Sequence, residues 1–105
     1  MEHLNSMLIE GFFIHEQPGM MKGQPARCID IECVRDGGNL FIMVITANPS
    51  AMQLPLRTGE LIRVVGELRE MSSGGFAVSA DHVEIRLGMR RKQAAGVMGI
   101  PKFTT

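Results

Sequence analysis

The chain has no tryptophan, no tyrosine, two cysteines and three histidines in 105 residues. Cys28 and Cys33 lie five positions apart in a strand-like segment, where ~3.3 Å per residue sets them roughly 16 Å apart on opposite faces. No disulfide fits that separation. Two unpaired thiols suit a reducing compartment, and His3, His15 and His82 add no zinc-ligand spacing to them. Long apolar runs are missing too. The longest stretch, 40–47, has the length of one strand, far short of the ~20 residues that cross a bilayer. The opening Met1-Glu2-His3-Leu4-Asn5 lacks the basic lead and long apolar stretch of a secretion signal. These scarcities predict a cytoplasmic chain with no membrane span, no metal and no other cofactor.

Charge of either sign is not in short supply, but it is unevenly placed. Residues 1–86 carry 7 basic against 11 acidic side chains, a net −4, while 87–105 carry Arg90, Arg91, Lys92 and Lys102 with no acid, a net +4. An acidic body is not the broad basic surface of a dedicated duplex binder. Any nucleic-acid contact must be local or carried by the tail.

Helical spacing is scarce, and a period of two dominates. In Met7–His15 an apolar set (Met7, Ile9, Gly11, Phe13) alternates with Leu8, Glu10, Phe12 and Ile14, which predicts a strand. Gly11 in mid-strand points to a bend or a close backbone approach. Residues 16–25 hold two Gly and two Pro and read as a long loop. A second strand follows at Ala26–Val34, with Ile29, Ile31 and Cys33 opposed to Cys28, Asp30 and Glu32. Arg35-Asp36-Gly37-Gly38-Asn39 is a hairpin signal, because Asp-Gly and Gly-Gly supply positive φ. The third strand, Leu40–Ala47, is nearly apolar on both faces, so its outer face needs a cover. Asn48-Pro49-Ser50 permits at most a helical turn at Ala51–Gln53 before Pro55. Strand four, Glu60–Arg69, turns its Ile62, Val64, Gly66 and Leu68 inward. Strand five, Phe76–Arg86, switches parity after Ala80, which predicts a bulge near Asp81 or His82.

Three strands, a short helical turn and two strands form the order of an all-β OB-fold, a five-stranded Greek-key barrel. A small sandwich is the alternative. The barrel occupies residues 1–87, and 88–105 form a short basic tail containing glycines.

Specific residues carry a further resemblance. Leu4-Asn5-Ser6-Met7-Leu8-Ile9-Glu10-Gly11 and Pro18 resemble the opening strand of bacterial single-stranded-DNA-binding proteins. Leu56-Arg57-Thr58-Gly59-Glu60-Leu61-Ile62-Arg63-Val64-Val65-Gly66-Glu67-Leu68 is similar to that family's entry into strand four, and Ala80–Ile85 to its close of strand five. The similarity spans residues 4–86. In length and truncation the chain is also similar to primosomal replication protein N, a short dimeric paralogue. The departures matter as much, because family members stack bases on aromatic rings. Their strand-three aromatics fall here on Leu40 and Thr46, their strand-four to strand-five loop shrinks to Met71–Gly75, and their acidic tail tip is replaced by a basic tail.

The resemblance implies sequence-tolerant binding of single-stranded DNA in replication, repair or recombination, without catalysis. The candidate contacts are Lys22, Arg35, Arg63, Arg90, Arg91 and Lys92, with Phe12 and Phe13 as possible stacking rings. A solvated cross-strand charge explains Arg63 equally well, and a solubilising turn charge Arg35. Phe41, Met43 and Ile45 on the third strand mark the interface of a homo-dimer or homo-tetramer, with Phe41 buried at a subunit contact. The alternative is a degenerate paralogue that no longer binds DNA and acts as an assembly subunit. No nucleophile, base and orienting group can be assembled from this inventory, so neither an enzyme nor a small-molecule substrate is expected.

Overall fold

Alternating polarity sets the chain into five strands. The computed structural model describes residues 5–90. In it β1 spans Met7–Met21, β2 Gln24–Cys33, β3 Leu40–Thr46, β4 Glu60–Glu70 and β5 Phe76–Arg90, with one helix, α1 (Pro49–Met52), between β3 and β4. The strands neighbour one another in the order β1-β2-β3-β5-β4 and close into a barrel. Every pair is antiparallel except β3 with β5, which run parallel where Val44 meets Val78 and Ile45 meets Ser79. One ladder closing on itself is the expected OB-fold and not a sandwich.

The inward residues form the core. Ile29, Ile31, Val44, Ile62 and Val64 are fully shielded, joined by Phe13, Val78, Ala80 and Val83, and Ala51 of α1 packs against them. Burying each Ile or Val side chain contributes about 1.5–3 kcal/mol. The helix that carries Ala51 is one turn long and starts from Asn48, whose side chain accepts from the Ser50 amide at 3.0 Å and donates to the Asp81 carbonyl at 2.7 Å. Three register shifts bend the strands around this core, one of them between Glu60, opposite Arg90, and Ile62, opposite Ile85. Val65 faces His82 and Gly66 faces Ala80, so Asp81 is the extra residue in β5, where the parity switch put it. A second bulge at Ile14, between the pairs Phe13–Ile31 and His15–Asp30, has no signature in the sequence.

Several expectations need correction. Residues 16–25 are not a loop: β1 continues to Met21 and pairs with β2 down to Met21 opposite Gln24, leaving only Lys22-Gly23 as the turn. Pro18 is tolerated because β1 pairs with β4 only through Phe12, so its far half has one edge without a partner strand among the described residues. β5 runs on to Arg90, opposite Glu60, past the expected end at Arg86. Leu68 and Phe76, placed by parity on the core side, lie beyond the packed interior and are 42% and 63% exposed. Glu32, expected on a solvated face, is 9% exposed and accepts from Asn39 Nδ2 at 2.6 Å.

Candidate nucleic-acid interface

Two hairpin tips meet on one side of the barrel. At the β1–β2 tip, Lys22 has φ 51° and Gly23 φ 76°, the left-handed pair that two-residue hairpins normally build from Asn-Gly or Gly-Gly. For a lysine that conformation costs roughly 1 kcal/mol, because its Cβ crowds the next carbonyl. The β4–β5 tip is turned by Gly74 and Gly75, with φ of 91° and 78°. Its backbone closes where the Gly74 amide donates to the Met71 carbonyl and the Met71 amide to the Gly75 carbonyl. Between the tips runs a groove of about 270 Å³. Met20, Met21 and Lys22 form one wall, Arg69, Glu70, Met71 and Ser72 the other, and Ile45 and Ala77 the floor on the β3–β5 seam. Met20 is 64% exposed, and Met21 and Met71 are half-buried. Arg69 pairs with Glu67 at 2.7 Å, while Lys22 stands exposed at the tip.

The residues picked from the sequence do not converge on this groove. Of the candidate cations whose side chains are described, Lys22, Arg35 and Arg63, Lys22 alone lines it. Arg35 follows the far end of β2, in the turn made by Gly37 and Gly38. Arg63 is six residues back along β4 from Arg69, roughly 20 Å, and is engaged by Glu10 at 2.9 Å and Glu84 at 3.8 Å. The backbone of Arg90 ends β5. Arg91 and Lys92 lie outside the described residues. Phe13 is a core residue, 5% exposed, and so is unavailable for stacking. Phe12 points outward and is half-buried, opposite Leu61 on one side and Glu32 on the other. Arg69 and Met71 were missed, because strand pairing across the barrel brings them beside the β1–β2 tip. The exposed glycine pair before Phe76 was the available signal.

The expected interface set also divides. Phe41, expected to be buried at a contact, is 65% exposed in the single chain. Glu32 lies between Phe41 and Phe12 in one cross-strand row. Met43 is half-buried opposite Asp30, and Ile45 belongs to the groove floor.

Elsewhere the surface is tied by ion pairs. Glu10 accepts from Arg63 Nε at 3.0 Å and Arg86 Nη1 at 2.5 Å, and the hydrogen bond from Arg63 does most to hold its carboxyl below the ordinary range. Glu16 receives Arg27 Nε and Nη2 at 2.5 and 2.6 Å, and this hydrogen bond likewise lowers its pKa. His15 meets Asp30 at 3.0 Å, an acidic partner that sequence spacing did not suggest. Burial, and for Cys28 also the nearby Asp30, raises the pKa of both free thiols. Among the described residues no group of three or more His, Cys, Asp or Glu side chains is placed to hold a metal. No helix among them is long and apolar enough to cross a membrane.

A closed five-stranded barrel of this strand order, with a helix between β3 and β4, is the OB-fold. No protein-family model matches the sequence, and no curated protein matches it. Solved structures do match. The mitochondrial single-stranded-DNA-binding protein of S. cerevisiae superposes with a TM-score of 0.68 at 13% identity, covering 81% of this chain and 96% of that one. The second such protein of Mycobacterium smegmatis gives 0.65 at 20% identity, covering 79% and 89%. The dimeric N-terminal domain of PriB from Thermoanaerobacter tencongensis gives 0.63 at 15% identity, covering 77% and 94%.

Proposed function

We propose that the chain binds single-stranded DNA, tolerant of sequence and without catalysis, in the groove between its two hairpin tips, as part of DNA replication, repair or recombination. OB-folds bind oligonucleotides between these same two loops, and the structural neighbours include proteins named for single-strand binding. The observation that carries the reading is Lys22. A cation kept in a strained tip position, where asparagine or glycine would sit without strain, points to a role beyond folding. Its ammonium at the groove rim neutralises a phosphate, and the apolar floor accepts base edges.

Lys22→Asn separates the two roles. Asparagine relaxes the turn, so the variant should melt a few degrees higher, as about 0.5–1 kcal/mol implies for a domain of this size. It should bind labelled oligo-dT more weakly, with a salt slope shallower by about 0.7. Unchanged affinity and slope would remove Lys22 from the site.

A second reading, an assembly subunit that has lost DNA binding, is favoured by the exposed Phe41 and the missing Trp and Tyr. A wild-type chain that leaves oligo-dT free at micromolar protein would select it. In both readings the chain assembles with copies of itself through the Phe41 face.

A further inference from the structure

Among the described residues three methionines line the groove, Met20 and Met21 on one wall and Met71 on the other. Packing under a loop is the common use of methionine, yet Met20 is 64% exposed at the tip of an arm whose neighbour is a strained lysine. A side chain kept in the core by the hydrophobic effect would not be left so. The chain also lacks Trp and Tyr, the rings on which single-strand binders usually stack bases. Thioethers are polarisable and unbranched, attract aromatic faces, and adapt to ligands of varied shape.

We infer that Met20, Met21 and Met71 form the base platform of this groove, gripping unpaired nucleobases of any identity between thioethers while Lys22 holds the backbone. The inference rests on the single-strand reading above and names the side chains that contact the bases. The platform has a chemical consequence that an aromatic one lacks. A peroxide transfers one oxygen atom to sulfur, breaking its O–O bond. The sulfur is oxidised by two electrons to the sulfoxide and the peroxide is reduced to water or an alcohol. The sulfoxide is polar and no longer packs against a base face, so the oxidised groove keeps its phosphate contact and loses its base contact.

The test compares oligo-dT with an abasic deoxyribose-phosphate oligomer of equal length, by fluorescence anisotropy on the full chain. The wild type should prefer oligo-dT by about tenfold. The triple variant Met20→Ser, Met21→Ser, Met71→Ser should lose that preference with its salt slope intact, whereas Lys22→Asn should keep the preference and lose slope. Hydrogen peroxide should abolish the preference of the wild type, with sulfoxide located at these positions by mass spectrometry. A triple leucine variant, which retains apolar bulk and tests the oxidation step if the serine variant misfolds, should be indifferent to peroxide. Equal loss on oxidation in the leucine variant would place the damage elsewhere and overturn the inference. A wild type that binds both oligomers equally would also overturn it, leaving phosphate binding in place. A wild type that binds neither would overturn the single-strand reading itself.

Discussion

At Gly66 a missing Cβ is what lets three strands meet. The residue stands opposite Met7 on β1 and Ala80 on β5, and a Cβ built there would lie 2.1 Å from the Ser79 carbonyl oxygen and 2.9 Å from Ala80 Cα. Both obstacles are backbone, so they cannot rotate aside. The neighbouring Asp81 bulge is the only irregularity near enough to yield. Gly66→Ala should therefore destabilise the barrel by about 2–4 kcal/mol, seen as a lower urea midpoint at unchanged slope. An unmoved midpoint would show that β5 shifts freely at the bulge. A second residue-scale argument concerns Glu16. Its partner Arg27 has a side chain only 11% exposed, and it also donates from Nη1 to the Ala51 carbonyl at 2.6 Å, tying β2 to α1. A carboxyl whose folded pKa lies below its ordinary 4.5 adds stability above that value and loses it as pH falls through the folded pKa. Glu16→Gln should thus melt below the wild type at pH 7, and the gap should narrow as the pH drops beneath about 4.5. A gap of constant size at both pH values would mean that the charge contributes nothing.

The elements differ in how far the sequence exposes them. β4 and the start of β5 were legible because alternation there is uninterrupted, and the Asp81 bulge announced itself as a parity switch. The Gly37-Gly38 turn was legible for the same local reason, since both residues take positive φ. β1 was misread beyond His15, where Pro18, Gly19, Gly23 and Pro25 imitate a loop. What rescues the strand is tertiary. Pro18 lies on the half of β1 with no β4 partner. At Gly19, a built Cβ would come within 2.5 Å of Cys28 Sγ on β2, so a larger residue would crowd the hairpin. The candidate site was legible only in Lys22. Met20 and Met21 adjoin it on β1, but Ile45 is on β3 and Arg69 and Met71 are nearly fifty positions away, and these meet it through barrel closure, which no local pattern records. For Arg63 the sequence left a DNA contact and a cross-strand charge equally open, because its partner Glu10 is on β1, 53 residues away.

At the scale of the whole molecule, the groove and the exposed aromatic face occupy different ends of β3. Ile45 floors the groove, and Phe41 lies four residues back, about 13 Å along the strand. Phe41, exposed in one cross-strand row with the half-buried Phe12, presents an apolar surface of the kind soluble proteins normally cover. The one carboxylate in its row, Glu32, is already nearly buried and bonded to Asn39, so covering it adds little desolvation cost. A second copy of the chain is the simplest cover, since a two-fold contact presents the same patch to itself. Phe41→Glu would set a carboxylate beside Glu32 in that patch and should dissociate the assembly, with the barrel's melting temperature nearly unchanged. Sedimentation reads the outcome directly: two or four chains together in the wild type at tens of micromolar, one in the variant. A wild type that sediments as a single chain at those concentrations would leave the patch unexplained and the assembly rejected. Because the patch and the groove are apart, dissociation should leave binding of a short oligo-dT intact. Binding of a long one should weaken by the effective-concentration factor that linked grooves provide. Equal loss for short and long strands would instead place Phe41 in the DNA site.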